Sequence, residues 1–234
     1  MRPAPAAVLS IALVTMAAPA RAQDADQSRL TAVGPPVTLK SPQGPPAPAG
    51  VGKDGVDAGD VAQFLLGGAL GLGLHESGHV LAGAAFGANP GIKAIRYGFI
   101  PFFAITHDPV SPAREYTISA AGFWVQSLTS EWLLTRRPNL REEHAPIAKG
   151  VLAFDVLASA VYGVAGMAHI GPPESDTRAM AASLRVNEAW VGTAVMAPAI
   201  FDTWRYVRPD AKFPRWASRI SKATLVLLVI RAAQ

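Results

Sequence analysis

The chain has 234 residues, enough for one well-formed domain behind a leader. It contains no cysteine, which excludes a disulfide framework and any thiolate metal site, so a metal would have to be held by His, Asp or Glu. Half the residues are hydrophobic and the net charge is only +4, with basic residues gathered in "TRRPNLR" and "RYVRPDAKFPRWASRISK"; this reads as charge flanking a membrane and speaks against nucleic acid as a partner.

Residues 1–22 have the form of an export signal: Arg2, the apolar run "AAVLSIALVTMAA", then Ala20-Arg21-Ala22 as a small-x-small cleavage site before Gln23. An uncleaved anchor is the alternative, although the apolar run is short for a span. Residues 23–58 are rich in Pro and Gly and bury too little to fold alone, which makes them a disordered linker. From Asp60 the character changes. "VAQFLLGGALGLGLHESGHVLAGAAFGA" holds one Glu and two His as its only ionisable groups and, as a helix, is long enough to cross a bilayer.

Asn89-Pro90-Gly91 ends that helix, and "IKAIRYGFIPFFAIT" follows as a strand or hairpin, rich in β-branched and aromatic residues. A second apolar helix is expected around "YTISAAGFWVQSLTSEWLL", ending at Arg136-Arg137-Pro138, and a third over "AKGVLAFDVLASAVYGVAGMAHI", with Asp155 as its one acid. A fourth covers about 187–206, and "ATLVLLVI" near the C-terminus is short for a span. If the signal is cleaved and the linker lies outside, counting spans puts "TRRPNLR" outside as well, against the positive-inside tendency.

His75 and His79 stand four apart, so on a helix both imidazoles project from one face and can bind a single zinc ion, with Glu76 beside it. Zinc lowers the pKa of a bound water, and Glu76 takes its proton and passes it to the leaving amine. An ionisable trio inside an apolar span is costly and points to function. A catalytic site needs a third protein ligand and an open position. Asp155, His169, Glu174, Asp176, Glu131 and Asp202 are candidates, and spacing alone does not choose. His169 reads first as a helix-end histidine satisfying terminal carbonyls. Gly67, Gly68, Gly71 and Gly73 read as positions of close helix packing. Trp124, Trp132, Trp190, Trp204 and Trp216 read as interfacial anchors.

From about residue 60 to 185 the order of parts resembles the site-2-protease family of intramembrane zinc metalloproteases. In that family an H-E-x-x-H helix precedes a β-rich segment, an A-G-P-x-x-N helix and a later N-x-x-P-x-P-x-x-D-G segment. "HESGH" matches at His75, Glu76 and His79, "AAGFWVQ" resembles the second element at Ala121 and Gly122, and "AHIGPPESDT" resembles the third, with Pro173 and Asp176 aligned. The resemblance implies Asp176 as third ligand. Phe123 stands where the family has Pro, Gln126 and Ala168 where it has Asn, and Thr177 where it has Gly. These departures bear on substrate handling more than on metal binding, and Gln126 is a candidate substitute as amide donor to substrate.

The expectation is therefore a mainly α integral membrane helical bundle with a small β element between the first two core helices. It comprises a signal peptide (1–22), a linker (23–58) and a zinc metalloprotease-like membrane domain (59–234). The expected cofactor is Zn2+, held by His75, His79 and Asp176, with Glu76 as general base and acid. The expected partners are the lipid bilayer and a protein substrate, a membrane-spanning segment that must unwind locally before attack; the expected location is a bacterial inner membrane. The alternatives are an exported soluble or peripheral zinc peptidase with Glu131 as third ligand, a membrane protein that binds zinc or a partner without hydrolysis, and a scaffold whose H-E-x-x-H is accidental.

Overall fold

The computed structural model describes residues 57–97 and 100–234. The expected signal peptide and all of the expected linker before Asp57 lie outside the described residues. The described chain is mainly helical with one small sheet: α1 (Ala58–Ala85), β1 (Gly91–Tyr97), β2 (Ile100–Thr106), α2 (Pro112–Arg136), α3 (Pro146–Ala168), α4 (Asp176–Leu184), α5 (Glu188–Val207) and α6 (Lys212–Ala232).

Local chemistry accounts for the element ends. After α1 the chain turns through Gly87 and Asn89, both at positive φ, where small or amide side chains are tolerated. The Asn89 amide donates to Asp108 at 2.7 Å and closes the loop across the hairpin. β1 and β2 pair antiparallel from Gly91–Thr106 to Tyr97–Ile100. α2 and α3 open with proline in their first turn, where its missing N–H costs nothing. Asn187 caps α5, accepting from the Ala189 N–H at 2.8 Å.

Two backbone crossings fix the bundle. α1 lies along α3 in the same direction: Gly67 meets Ile147 and Gly150, and four residues on Gly71 meets Phe154. α2 runs against α1, and a Cβ on Gly78 would come within 2.6 Å of the Ala121 carbonyl oxygen. Of the four glycines expected to serve packing, Gly67 and Gly71 are at such contacts; Gly68 barely touches a neighbour and Gly73 faces open space. A core of Tyr116, Phe123, Met180, Val191, Val195 and Leu225 joins α2, α4, α5 and α6, and the Tyr116 hydroxyl donates to the Leu225 carbonyl at 2.7 Å.

Three features differ from expectation. Asp176 opens a nine-residue helix, α4, that was not among the helices expected. α6 is 21 residues long, because its basic first half is accommodated by acids on other helices: Lys222 and Arg219 bond Glu131, and Lys222 also bonds Asp202. Among the described residues one helix, Pro146–Ala168, is long and apolar enough to cross a membrane; α1 has the length, but its glycines and its His-Glu-His trio dilute its hydropathy. His144, in the loop after α2, bonds Asp60 in the first turn of α1 at 2.9 Å. The "TRRPNLR" loop therefore shares one end of the bundle with the start of α1, as counting helices requires.

Candidate metal centre

α1 presents His75 and His79 one turn apart, 2% and 4% exposed, with their Nε2 atoms 3.1 Å apart. The first residue of α4 completes the group: Oδ2 of Asp176 lies 3.6 Å from Nε2 of each histidine. Three ligands at zinc bond lengths and tetrahedral angles are separated by roughly 3.4 Å, so these spacings suit one ion. They form the His/Asp/Glu group among the described residues that could hold a metal.

The far side of each imidazole is also engaged. Nδ1 of His79 lies 2.7 Å from the Ile118 carbonyl oxygen, and Nδ1 of His75 lies 3.0 Å from Oε1 of Gln126. Both partners only accept, so each Nδ1 donates to its partner and each ring turns its Nε2 toward the Asp176 carboxylate. Histidine oriented from behind by an outer acceptor is the usual form of a metal ligand.

The helices are shaped to this arrangement. A Cβ on Gly122 would lie 2.6 Å from Nε2 of both histidines, so only glycine lets α2 pass behind the pair. Phe123 meets His75 edge to face, with centroids 5.3 Å apart, and Tyr162 of α3 stacks on His75 at 6.1 Å. The Tyr162 hydroxyl bonds Asp176. Burial works against the Asp176 charge, but the two imidazoles outweigh it and hold the carboxyl below the usual carboxylate range. Its place in the first turn of α4 acts in the same direction.

The start of α4 is itself tied down. Thr177 donates to the buried Glu188 carboxylate of α5 at 2.8 Å, Ser175 and Thr177 share a hydrogen bond at 3.0 Å, and Arg178 bonds Glu188 at 3.4 Å. Lys93 on β1 reaches Glu174 at 2.7 Å and holds that exposed carboxyl below its ordinary range. The hairpin is thereby linked to the segment that carries Asp176.

A cavity of about 420 Å³ opens onto the trio. Glu76 and Tyr162 line it with His75, His79 and Asp176, and its remaining walls are largely apolar, from Leu72, Phe103, Phe154, Leu157 and Val161.

The other ligand candidates are elsewhere. Glu131 is bonded to Arg205, Arg219 and Lys222, and Asp202 to Lys222 and Ser218. Asp155 lines a separate small cavity with Gln126. His169 caps α3 in a left-handed conformation and faces Glu188 at 3.8 Å. Glu174 lines the large cavity but pairs with Lys93. The expected role of Gln126 as a donor to substrate is corrected: its oxygen accepts from His75 and its nitrogen donates to the Asp155 carbonyl at 3.5 Å. Trp124 packs partly buried against the core, and its ring N–H donates to the Leu225 carbonyl at 3.3 Å. Tyr162 was not singled out from the sequence; the available signal was its spacing on α3, where Asp155, Ser159 and Tyr162 recur at helical intervals.

No family model, no curated protein and no solved structure matches this chain.

Proposed function

We propose that the chain is a zinc-dependent endopeptidase that hydrolyses peptide bonds of membrane-associated protein segments. The observation that carries this reading is the meeting of two imidazoles, each with an acceptor at its Nδ1, and a carboxylate, 3.1 to 3.6 Å apart, at the wall of a cavity that Glu76 also lines. A zinc ion held there supplies the Lewis acid that activates water and polarises a carbonyl. Glu76 takes the proton of the attacking water as the new C–O bond forms and gives it to the amine nitrogen as the C–N bond breaks. Tyr162 and Gln126 keep Asp176 and His75 in position through this cycle. The apolar walls from α1, α3 and β2 suit an apolar stretch of chain.

A membrane setting is supported by the outer faces of the helices. Leu65 and Leu81 on α1, Leu157 on α3 and Leu227 on α6 are each more than 60% exposed, whereas soluble proteins rarely carry extensive apolar patches. Trp132, Trp204 and Trp216, exposed near the ends of α2 and α5 and the start of α6, suit a headgroup boundary. With these helices in the bilayer, the bundle is an integral membrane protein and its substrates arrive laterally.

The test combines three measurements on the full chain. Carbonate-washed membranes should retain it, detergent-purified protein should hold near one zinc per chain by elemental analysis, and Glu76→Gln should keep the metal while losing cleavage of a membrane-anchored reporter. Release by carbonate would move the chemistry to a soluble or peripheral peptidase. A protein that takes up no zinc on reconstitution would end the hydrolytic reading.

A further inference from the structure

Behind the metal centre, residues of α2, α3 and α5 line a second, partly open cavity of about 10 Å³, room for a single water-sized occupant. It is polar where the first is apolar: Gln126, Ser130, Asp155, Ser159 and Asp202 contribute to its lining. Asp155 and Ser159 lie one turn apart on α3, hence on one face, and are 5% and 7% exposed. Oδ2 of Asp155 has no hydrogen-bond partner among the described residues. A carboxylate left so in an apolar interior is costly unless something compensates it.

The neighbouring basic groups make their bonds elsewhere, although the charge of Lys222 is also felt at Asp155. Lys222 lies 2.8 Å from Oδ2 and 3.0 Å from Oδ1 of Asp202 and also reaches Glu131. Arg205 and Arg219 close on Glu131. Asp155 thus faces a second carboxylate, on Asp202, whose own counter-charge is already in place. The cavity offers carboxylate and hydroxyl oxygens and no sulfur or imidazole, a donor set for a hard cation.

From this geometry we propose that the cavity between α2, α3 and α5 binds one monovalent cation of sodium size, with Asp155 as its charged ligand and the hydroxyls of Ser130 and Ser159 as neutral ones. The ion stands one residue behind the metal centre, because Gln126 links the Asp155 carbonyl to His75. The proposal rests on this cavity alone and does not require hydrolytic activity.

The test is the thermal unfolding midpoint of the detergent-purified full chain, measured at fixed pH and ionic strength while choline chloride is replaced by sodium chloride. Binding to the folded state alone raises the midpoint saturably with sodium; a rise of several degrees is expected, abolished in Asp155→Asn. Should Asp155→Asn fail to fold, Ser159→Ala is expected to shift the half-saturating sodium concentration upward several-fold. Equal midpoints in sodium and choline for the wild type would overturn the proposal and leave a water or a proton as the occupant. A sodium response that persists unchanged in both variants would overturn it too, since the ion would then bind elsewhere.

Discussion

Oε1 of Gln126 accepts from Nδ1 of His75 at 3.0 Å, across the contact between α2 and α1. This bond fixes both the proton position and the orientation of the ring. Gln126→Leu is expected to weaken zinc binding by about 10- to 100-fold, the usual effect of removing an outer acceptor, as read by competition with a chromogenic chelator. Gln126→Glu keeps an acceptor at that point and should retain most of the affinity. An unchanged affinity in Gln126→Leu would mean that packing alone orients His75.

Gly122 gives a steric prediction. Its added methyl would meet both metal-facing nitrogens at 2.6 Å, and forcing atoms into a packed interior costs typically about 1–3 kcal/mol. Gly122→Ala should lower the thermal midpoint and the zinc content together. Gly73→Ala, on the same helix as the histidines but with nothing within 4 Å, should be neutral or stabilising by up to about 1 kcal/mol through helix propensity.

Tyr162→Phe keeps the ring that stacks on His75 and removes the hydroxyl bonded to Asp176. A fall of about tenfold or more in zinc affinity or in kcat is expected, with the fold and melting profile close to wild type. If affinity and kcat are both unchanged, the hydroxyl does not hold Asp176.

Glu131 separates an ionic anchor from a metal ligand. Its removal leaves Arg205, only 5% exposed on its side chain, without its main carboxylate partner. Glu131→Ala should therefore destabilise the protein on the order of 3 kcal/mol in chemical denaturation, while zinc content stays near one per chain. Loss of zinc from a variant that remains folded would revive Glu131 as the third ligand.

The bond between Lys93 and Glu174 links the β1–β2 hairpin to the segment before α4. Both groups are exposed enough for salt to screen them. Lys93→Ala, and high salt in the wild type, should each speed hydrogen exchange at the hairpin amides, and salt should add nothing further to Lys93→Ala. Identical exchange in all conditions would show that packing alone holds the hairpin.

Much of this was legible in the sequence because it is encoded locally. The long apolar runs mark α1, α2, α3 and α5, the β-branched run between Pro90 and Asp108 marks the hairpin, and two histidines four apart define a common face without any tertiary knowledge. What depends on distant partners was not legible. "DTRAMAASL" has too little apolar content to announce α4; that helix is held by Glu188 and by packing against α2 and α5. The first half of α6 looks too basic for a buried helix until Glu131 and Asp202 arrive from α2 and α5. The roles of Gln126 and Tyr162 likewise arise where separate helices meet.

The trio also has a timing. His75 and His79 are translated early, whereas Asp176 follows His79 by 97 residues, an interval of roughly 5–20 s at ordinary rates of synthesis. Throughout it the nascent polypeptide carries two imidazoles and a glutamate but no third ligand. On the function proposed above, the site is complete, and hydrolysis can begin, only once α4 has emerged and docked.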